Sequence, residues 1–383
     1  MSGATLEDTA AFLNEAASRE VYVRPVGLLA GADAGRGIEA GTALALAGGP
    51  LSFPLCEIIV RTPQGRRCRL VSSVLLRGLA QGGASRAGPQ GSRIADLLEK
   101  LSAPRPAFAG LPLPDGRAEH ALVMGVLNTT PDSFSDGARF RDAETAIAHG
   151  IAMAKAGADI IDVGGESTRP GATPVPVQEE MNRVLPVVRT LASRGLTVSI
   201  DTRKAEVMGA ALQAGAKIVN DVSALGGDPD SLRVVAARGA SAVLMHMQGE
   251  PETMQSDPRY DDAALDVFDF LEQRVGACGA AGVAPGRLLI DPGIGFGKTK
   301  RHNAEILASL ALYHGLGCGL LIGVSRKGFV AGARGSAPPE ERLPGSLSAA
   351  LLAVSQGVQV VRVHDVAETR QALDVWDAVH ARA

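Results

Sequence analysis

Along most of the chain, short runs of nearly unbroken apolar residues alternate with longer stretches in which apolar positions recur every three or four residues. The runs are Val123–Leu127, Asp159–Gly164, Leu196–Ile200, Ile218–Val219, Ala242–Met245, Leu288–Ile290, Leu320–Val324 and Val358–Val361. Such runs read as strands buried on both faces, as parallel strands are when helices cover the sheet. The periodic stretches predict helices near Ala143–Ala156, Val177–Ser193, Lys204–Ala214, Pro229–Arg238, Asp262–Ala280, Asn303–Tyr313, Ser346–Ser355 and Ala367–Val379. Eight strand-helix units predict an α/β fold, a closed (β/α)8 TIM barrel; an open doubly wound sheet is the alternative.

Residues 1–118 do not follow this rhythm. Glu57–Thr62 and Arg67–Val71 flank Pro63-Gln64-Gly65, which predicts a hairpin, and Ile94–Leu101 predicts a short helix. We expect a small, β-rich N-terminal accessory region and linker over 1–118 and the barrel over 119–383. Gly82–Gly91 and Arg334–Arg342 read as loops, and Pro104-Arg105-Pro106 with Leu111–Gly116 as the linker. The accessory region shows no chemistry of its own, so packing or an interface is its expected role.

Each apolar run ends on polar residues. Asn128 ends the first, Thr168 and Arg169 follow the second, and Asp201, Asn220, His246 and Asp291 end the next four. Lys327 follows the seventh, and Arg362 and His364 the eighth. In a closed barrel these positions converge on the C-terminal face, where such folds keep their active sites. Asp accepts hydrogen bonds, Lys donates them and Asn does both, a set suited to the edge of a flat, amide-bearing heterocycle. Arg362 and His364, two apart on a strand, share a face and suit a phosphate-type group. Taken singly, Asp201, Asn220-Asp221 or Asp291 could be caps or turns.

Composition narrows the function classes. The chain's 383 residues suit a barrel of about 250 residues plus an extra piece. The composition, 46% apolar with mean hydropathy +0.12, permits a large core, and 3% aromatics make it an aliphatic one. A net charge of −3 gives no electrostatic basis for nucleic-acid or membrane binding, so any anion site must be local. Cys56, Cys68, Cys278 and Cys318 lack metal or redox spacing and fit a reducing cytoplasm. Met1–Asp8 lacks the build of a signal peptide, and no apolar stretch is long enough to span a bilayer.

Two motif matches fail. Gly297-Lys298-Thr299 resembles the end of a P-loop, but Pro292 stands where its first glycine would fall. Gly293-x-Gly295 is followed by Lys298 where the dinucleotide fingerprint needs glycine.

From Leu122 onward the chain closely resembles the dihydropteroate synthase family. The resemblance rests on Met124–Gly137, Gly165–Gly171, Ser199–Arg203, Val219–Asp221, Met245–Gly249, Asp291–Lys298, Ser325–Lys327 and Arg362–Asp365, in that order. It implies a transferase of folate biosynthesis that joins 6-hydroxymethyl-7,8-dihydropterin diphosphate to 4-aminobenzoate with Mg2+, a sulfonamide target and a cytoplasmic homodimer. It implies that Asp201, Asn220, Met245, Asp291 and Lys327 hold the pterin, with Asp201, Lys327 and Asn128 as the catalytic set. Asn128, Thr168, Arg362 and His364 would serve the diphosphate, with Asn128 on the metal, and Ser167, Thr168, Arg169, Pro170 and Phe296 would come from loops over the aminobenzoate. The alternatives are a pterin-binding methyltransferase barrel and a non-catalytic relative. The diphosphate-side residues and the Ser-Thr-Arg-Pro loop argue against the first, and the polar strand ends against the second.

Overall fold

A computed structural model describes residues 5–13, 20–81, 90–114, 121–129, 136–167, 174–250, 253–332 and 337–380. The extension contributes β1 (Val21–Val26), β2 (Leu44–Ala45), β3 (Ser52–Phe53), β4 (Leu55–Thr62) and β5 (Gly65–Ser72). The eight later runs become β6 (Leu122–Asn128), β7 (Ile160–Gly164), β8 (Val198–Asp201), β9 (Ile218–Asp221), β10 (Ser241–Met245), β11 (Leu288–Asp291), β12 (Gly319–Ile322) and β13 (Val360–Val363). These pair in parallel and in sequence order, and β13 closes on β6. The expected (β/α)8 barrel is therefore present.

The strands are apolar throughout because each has two buried faces. Outward residues such as Val123, Val163, Ile200 and Val361 pack under the surrounding helices. The helix Val177–Ser193 shows how: Met181, Val184, Val187, Val188 and Leu191 fall at helical spacing on its buried side. Inward residues form a second cluster of Leu122, Met124, Ile160, Ile218, Val243, Leu289, Leu321 and Val360. Phe108 and Leu113 belong to that same cluster. The segment read as a linker thus plugs the N-terminal end of the barrel, with Pro106 against Gly286 and Leu113 against Gly319 at the starts of β11 and β12. With apolar side chains filling the bottom, polar inward groups are confined to the top.

The extension contains antiparallel sheets, as expected. β1, β4 and β5 form one sheet, with the predicted hairpin running from Leu55 to Ser72. Helices Gly31–Glu39 and Ser73–Gln81 join the predicted one, which spans Gly91–Ser102. The sheet lies on the barrel helix Ala263–Ala280, where Tyr22 Oη donates to Asp269 Oδ1 at 2.9 Å and Arg93 pairs with Glu272. Buried Arg105 donates to the carbonyls of Lys100, Ala103, His314 and Cys318, stitching extension to barrel.

One element differs from its prediction. The helix expected over Asn303–Tyr313 is an α-helix at Lys300–Leu307 followed by a 3-10 segment at Leu310–Leu316. Leu310 to Leu316 are all buried, and packing on both sides overrides amphipathic periodicity there. Of the loop expected over 82–91, residues 82–89 lie outside the described residues; of the loop expected over 334–342, residues 337–342 are described and hold a short 3-10 turn at Pro339–Glu341.

Candidate active site

The polar strand ends meet at the C-terminal mouth. At the end of β13, Arg362 Nε donates to Asp162 Oδ2 at 2.6 Å, and Nη2 donates to Asp201 Oδ2 at 2.7 Å. Asn220 Nδ2 donates to the same Asp162 oxygen at 3.0 Å. One guanidinium and one carboxamide therefore link β7, β8, β9 and β13. Asp162 is fully buried, and neither its Oδ1 nor the buried Ser199 Oγ beside it in register has a partner among the described residues. Unpaired buried oxygens of this kind are costly unless a ligand supplies donors.

Burial pushes the Asp201 carboxyl up to about 7, with Asp162 and Asp221 adding to the shift and Arg362 opposing it. Burial likewise raises Asp291, against the pull of Lys327, and Asp291 Oδ1 accepts from the Gly293 amide at 2.8 Å. Burial lowers the Lys327 ammonium to about 8, with Asp291 holding it up. Lys327 Nζ also donates to the Ile294 carbonyl and sits 4.6 Å from the centre of the Phe296 ring. The mouth so carries one carboxyl, Asp201, and one ammonium group, Lys327, that titrate near neutrality, a frequent mark of functional sites.

Two glycines make room among these groups. A Cβ on Gly164 would lie 3.7 Å from Asn128 Oδ1 and 3.8 Å from Asp201 Oδ2. A Cβ on Gly323 would lie 3.8 Å from Asp291 Oδ2, Lys327 Nζ and Arg362 Cβ. Space left by missing side chains is thus bordered by acceptors and donors.

The loop after β11 is fixed from beneath by residues whose role the sequence did not reveal. Buried Lys298 donates to the carbonyls of Gly293 at 2.9 Å and Phe296 at 3.0 Å, and meets His246 Nδ1 at 2.8 Å. Burial, reinforced by Lys298, lowers His246 to about 2, so its ring is neutral. Gly293 and Gly297 have φ of +70° and +62°, and added Cβ atoms would come within 1.9 Å of the His246 carbonyl and 2.3 Å of the Gln248 carbonyl. The Gly-rich spacing that fails as a phosphate loop is instead a tight backbone crossing.

The remaining sequence candidates divide. His364 Nδ1 is 3.1 Å from Ser325 Oγ, and Met245 is buried beside Gly293. Asp221 accepts from Ser223 and Leu225, so it serves the turn after β9 while Asn220 faces the mouth. Ser167 is the last described residue before 168–173, and Thr168, Arg169 and Pro170 lie outside the described residues. The segment's flanks are tied, since Glu166 Oε2 accepts from the Val175 amide and from Lys204 Nζ. Asp162 was legible in principle as the one charge inside an apolar strand run.

The family profile described as Pterin binding enzyme matches residues 124–364. Dihydropteroate synthase of Escherichia coli is 47% identical over 260 residues, spanning 68% of this chain and 92% of that protein. That of Synechocystis is 41% identical over 290 residues, spanning 74% and 99%. Among solved structures, Xanthomonas albilineans dihydropteroate synthase with 4-aminobenzoic acid superposes with a TM-score of 0.64 at 48% identity, covering 69% of this chain and 94% of that one. The same enzyme with 7,8-dihydropteroate gives 0.61 at 43%, with 69% and 94% covered. The chain belongs to the dihydropteroate synthase family of pterin-binding enzymes and carries an N-terminal extension ahead of the shared barrel.

Proposed function

We infer that this chain is the dihydropteroate synthase its family indicates, condensing 6-hydroxymethyl-7,8-dihydropterin diphosphate with 4-aminobenzoate to 7,8-dihydropteroate and pyrophosphate. The observation that carries the reading is the convergence of Asp162, Asp201, Asn220, Asp291, Lys327 and Arg362 at one barrel mouth. Asp201, Asn220, Asp291 and Lys327 read the donors and acceptors of the pterin edge, with Met245 against the ring face. Asp162 Oδ1 offers a further acceptor.

The C–O bond from the pterin methylene to the diphosphate breaks, a C–N bond forms to the aniline nitrogen, and that nitrogen loses a proton. The electron-rich reduced pterin stabilises the developing cation, so the protein positions the ring and neutralises the leaving group. Ionised Asp201 favours positive charge on the ring. Nη1 of Arg362, without a partner among the described residues, faces the leaving group with His364, Asn128 and Thr168. Ser167, Thr168, Arg169, Pro170 and Phe296 enclose the aminobenzoate.

Magnesium fits this set. Among the described residues no group of three or more His, Cys, Asp or Glu could hold a metal ion. Mg2+ commonly needs few protein oxygens when substrate phosphates and water complete its shell, and the exposed Asn128 carboxamide supplies one. Bound there, the ion would neutralise charge on the departing diphosphate.

A homodimer through barrel helices is supported by Leu352, Val375 and Val379, exposed on the neighbouring helices Leu343–Val354 and Val366–His380. A cytoplasmic location is supported by three buried free cysteines, and among the described residues no helix is long and apolar enough to cross a membrane. The deciding assay is pyrophosphate release from the pterin diphosphate and Mg2+, with and without 4-aminobenzoate, and the product identified by mass. Release independent of aminobenzoate, or none with pterin bound, overturns the reading.

A further inference from the structure

The extension lies outside the family match, yet it reaches the turn that supports the loop Gly293–Lys298. Tyr260 Oη donates to the Gly297 carbonyl at 2.8 Å. The Tyr260 ring packs edge-on against His302 at 4.8 Å and lies 6.0 Å from His246, the partner of Lys298. Tyr260 thus meets the loop, the helix that follows it and the histidine that holds Lys298.

The residues after Tyr260 are held by one carboxylate. The amides of Asp261 and Asp262 donate to Asp266 Oδ2 at 3.0 and 3.2 Å. The other oxygen, Asp266 Oδ1, accepts from Arg61 Nη1 at 2.8 Å, and Arg61 is the penultimate residue of β4 in the extension. Arg61 Nη2 also reaches Asp269 Oδ2 at 3.1 Å, and Arg66 of β5 pairs with Asp262 at 3.1 Å. The outer side of the turn borders a polar-walled cavity of about 460 Å3 between Arg24, Arg66 and Arg301. Ion pairs from the extension, rather than apolar packing, restrain the turn on that side.

We propose that Arg61 is a positioning residue of the reaction: through Asp266 it fixes the Tyr260 turn, and through Tyr260 the loop that carries Phe296. The extension is then part of the aminobenzoate side of the enzyme, an inference that rests on the placement of Phe296 in that subsite. Arg61 touches no substrate. Its effect is on where the loop rests, which is read in affinity for the second substrate.

The test compares R61M, R61K and R93M in the full chain. Arg93 pairs with Glu272 on the same barrel helix, beyond the turn, and serves as the docking control. R61M is expected to raise KM for 4-aminobenzoate about two- to fivefold, the size a partly exposed ion pair can transmit, with kcat and KM for the pterin diphosphate unchanged. R61K restores most of the affinity, and R93M behaves as wild type. Hydrogen exchange over 293–298 is expected to quicken in R61M alone, a readout that needs no turnover. Wild-type KM and exchange in R61M overturn the proposal, as do equal changes in R93M. Absence of dihydropteroate from the wild-type enzyme would instead overturn the functional reading, while the exchange comparison still decides the coupling.

Discussion

Arg362 Nη2 lies 2.7 Å from Asp201 Oδ2, so the last strand of the barrel is tied to the third across the mouth. Nε of the same guanidinium neutralises Asp162, which is fully buried. R362M would leave two carboxylates without their cation. Breaking a buried pair this way costs roughly 3–5 kcal/mol, to be measured as lost stability in urea near pH 8. Asp201 already titrates at about 7 rather than 3.8, so the folded protein keeps a proton that the unfolded chain releases. Losing Arg362 raises it further, and the deficit shrinks at pH 6 as the carboxyl protonates. A deficit independent of pH would remove the ion pair as its cause.

The same groups set the pH dependence of turnover. Ionised Asp201 and protonated Lys327 are the active forms in the proposed pterin site. Burial puts them at about 7 and about 8. The kcat/KM for the pterin diphosphate should fall below pH 7 and above pH 8, a narrow bell. D201N should abolish the acid limb and lower the plateau by at least about tenfold, a loss of about 1.4 kcal/mol. An acid limb that persists in D201N belongs to another group.

The eight strands were legible because a strand buried on both faces must be apolar from end to end, and their polar ends were legible because the next residue leaves that environment. Pairing was not. Arg362 reads from sequence as a diphosphate ligand, and only the closed barrel brings it to Asp162 and Asp201. Lys298 is conspicuous in Gly297-Lys298-Thr299, but its task of holding carbonyls depends on His246, 52 residues earlier. Phe108 and Leu113 look like part of a linker until the open end of a barrel needs filling. Docking by Arg61 and Arg93 rests on contacts some 200 and 179 positions apart, beyond the reach of local pattern.

Acid stability carries a separate signature from His314. Burial lowers its pKa to about 3 from 6.5, with Arg105 adding to the effect. A depressed histidine means the unfolded chain binds one more proton below pH 6.5, so the neutral ring's contribution is complete above that value and declines as pH falls towards 3. H314Q should flatten the loss of unfolding free energy between pH 6 and 5 by about 1.4 kcal/mol per pH unit. Nε2 of His314 meets the Gln356 carbonyl at 3.1 Å, so the variant also weakens that contact at every pH. The change in slope, rather than in level, is the diagnostic. An unchanged slope would place the ring in contact with solvent.

The loop after β11 allows a paired test of backbone against chemistry. Gly293 has φ +70°, and a Cβ there would approach the His246 carbonyl to 1.9 Å, a collision with backbone that no rotamer relieves. The left-handed conformation alone costs an alanine about 1–3 kcal/mol, before the carbonyl moves aside. Moving it disturbs Lys298, which donates to both the Gly293 and His246 carbonyls, and displaces Phe296. Gly328, next to Lys327, has nothing within 4 Å of its Cβ position and no positive φ. G293A should lose stability and at least about tenfold in kcat/KM for 4-aminobenzoate, at roughly 1.4 kcal/mol per tenfold. G328A should fold as wild type with stability changed by less than about 0.5 kcal/mol. Equal losses in the two variants would mean that small size beside the site, rather than the crossing with His246, is what these glycines provide.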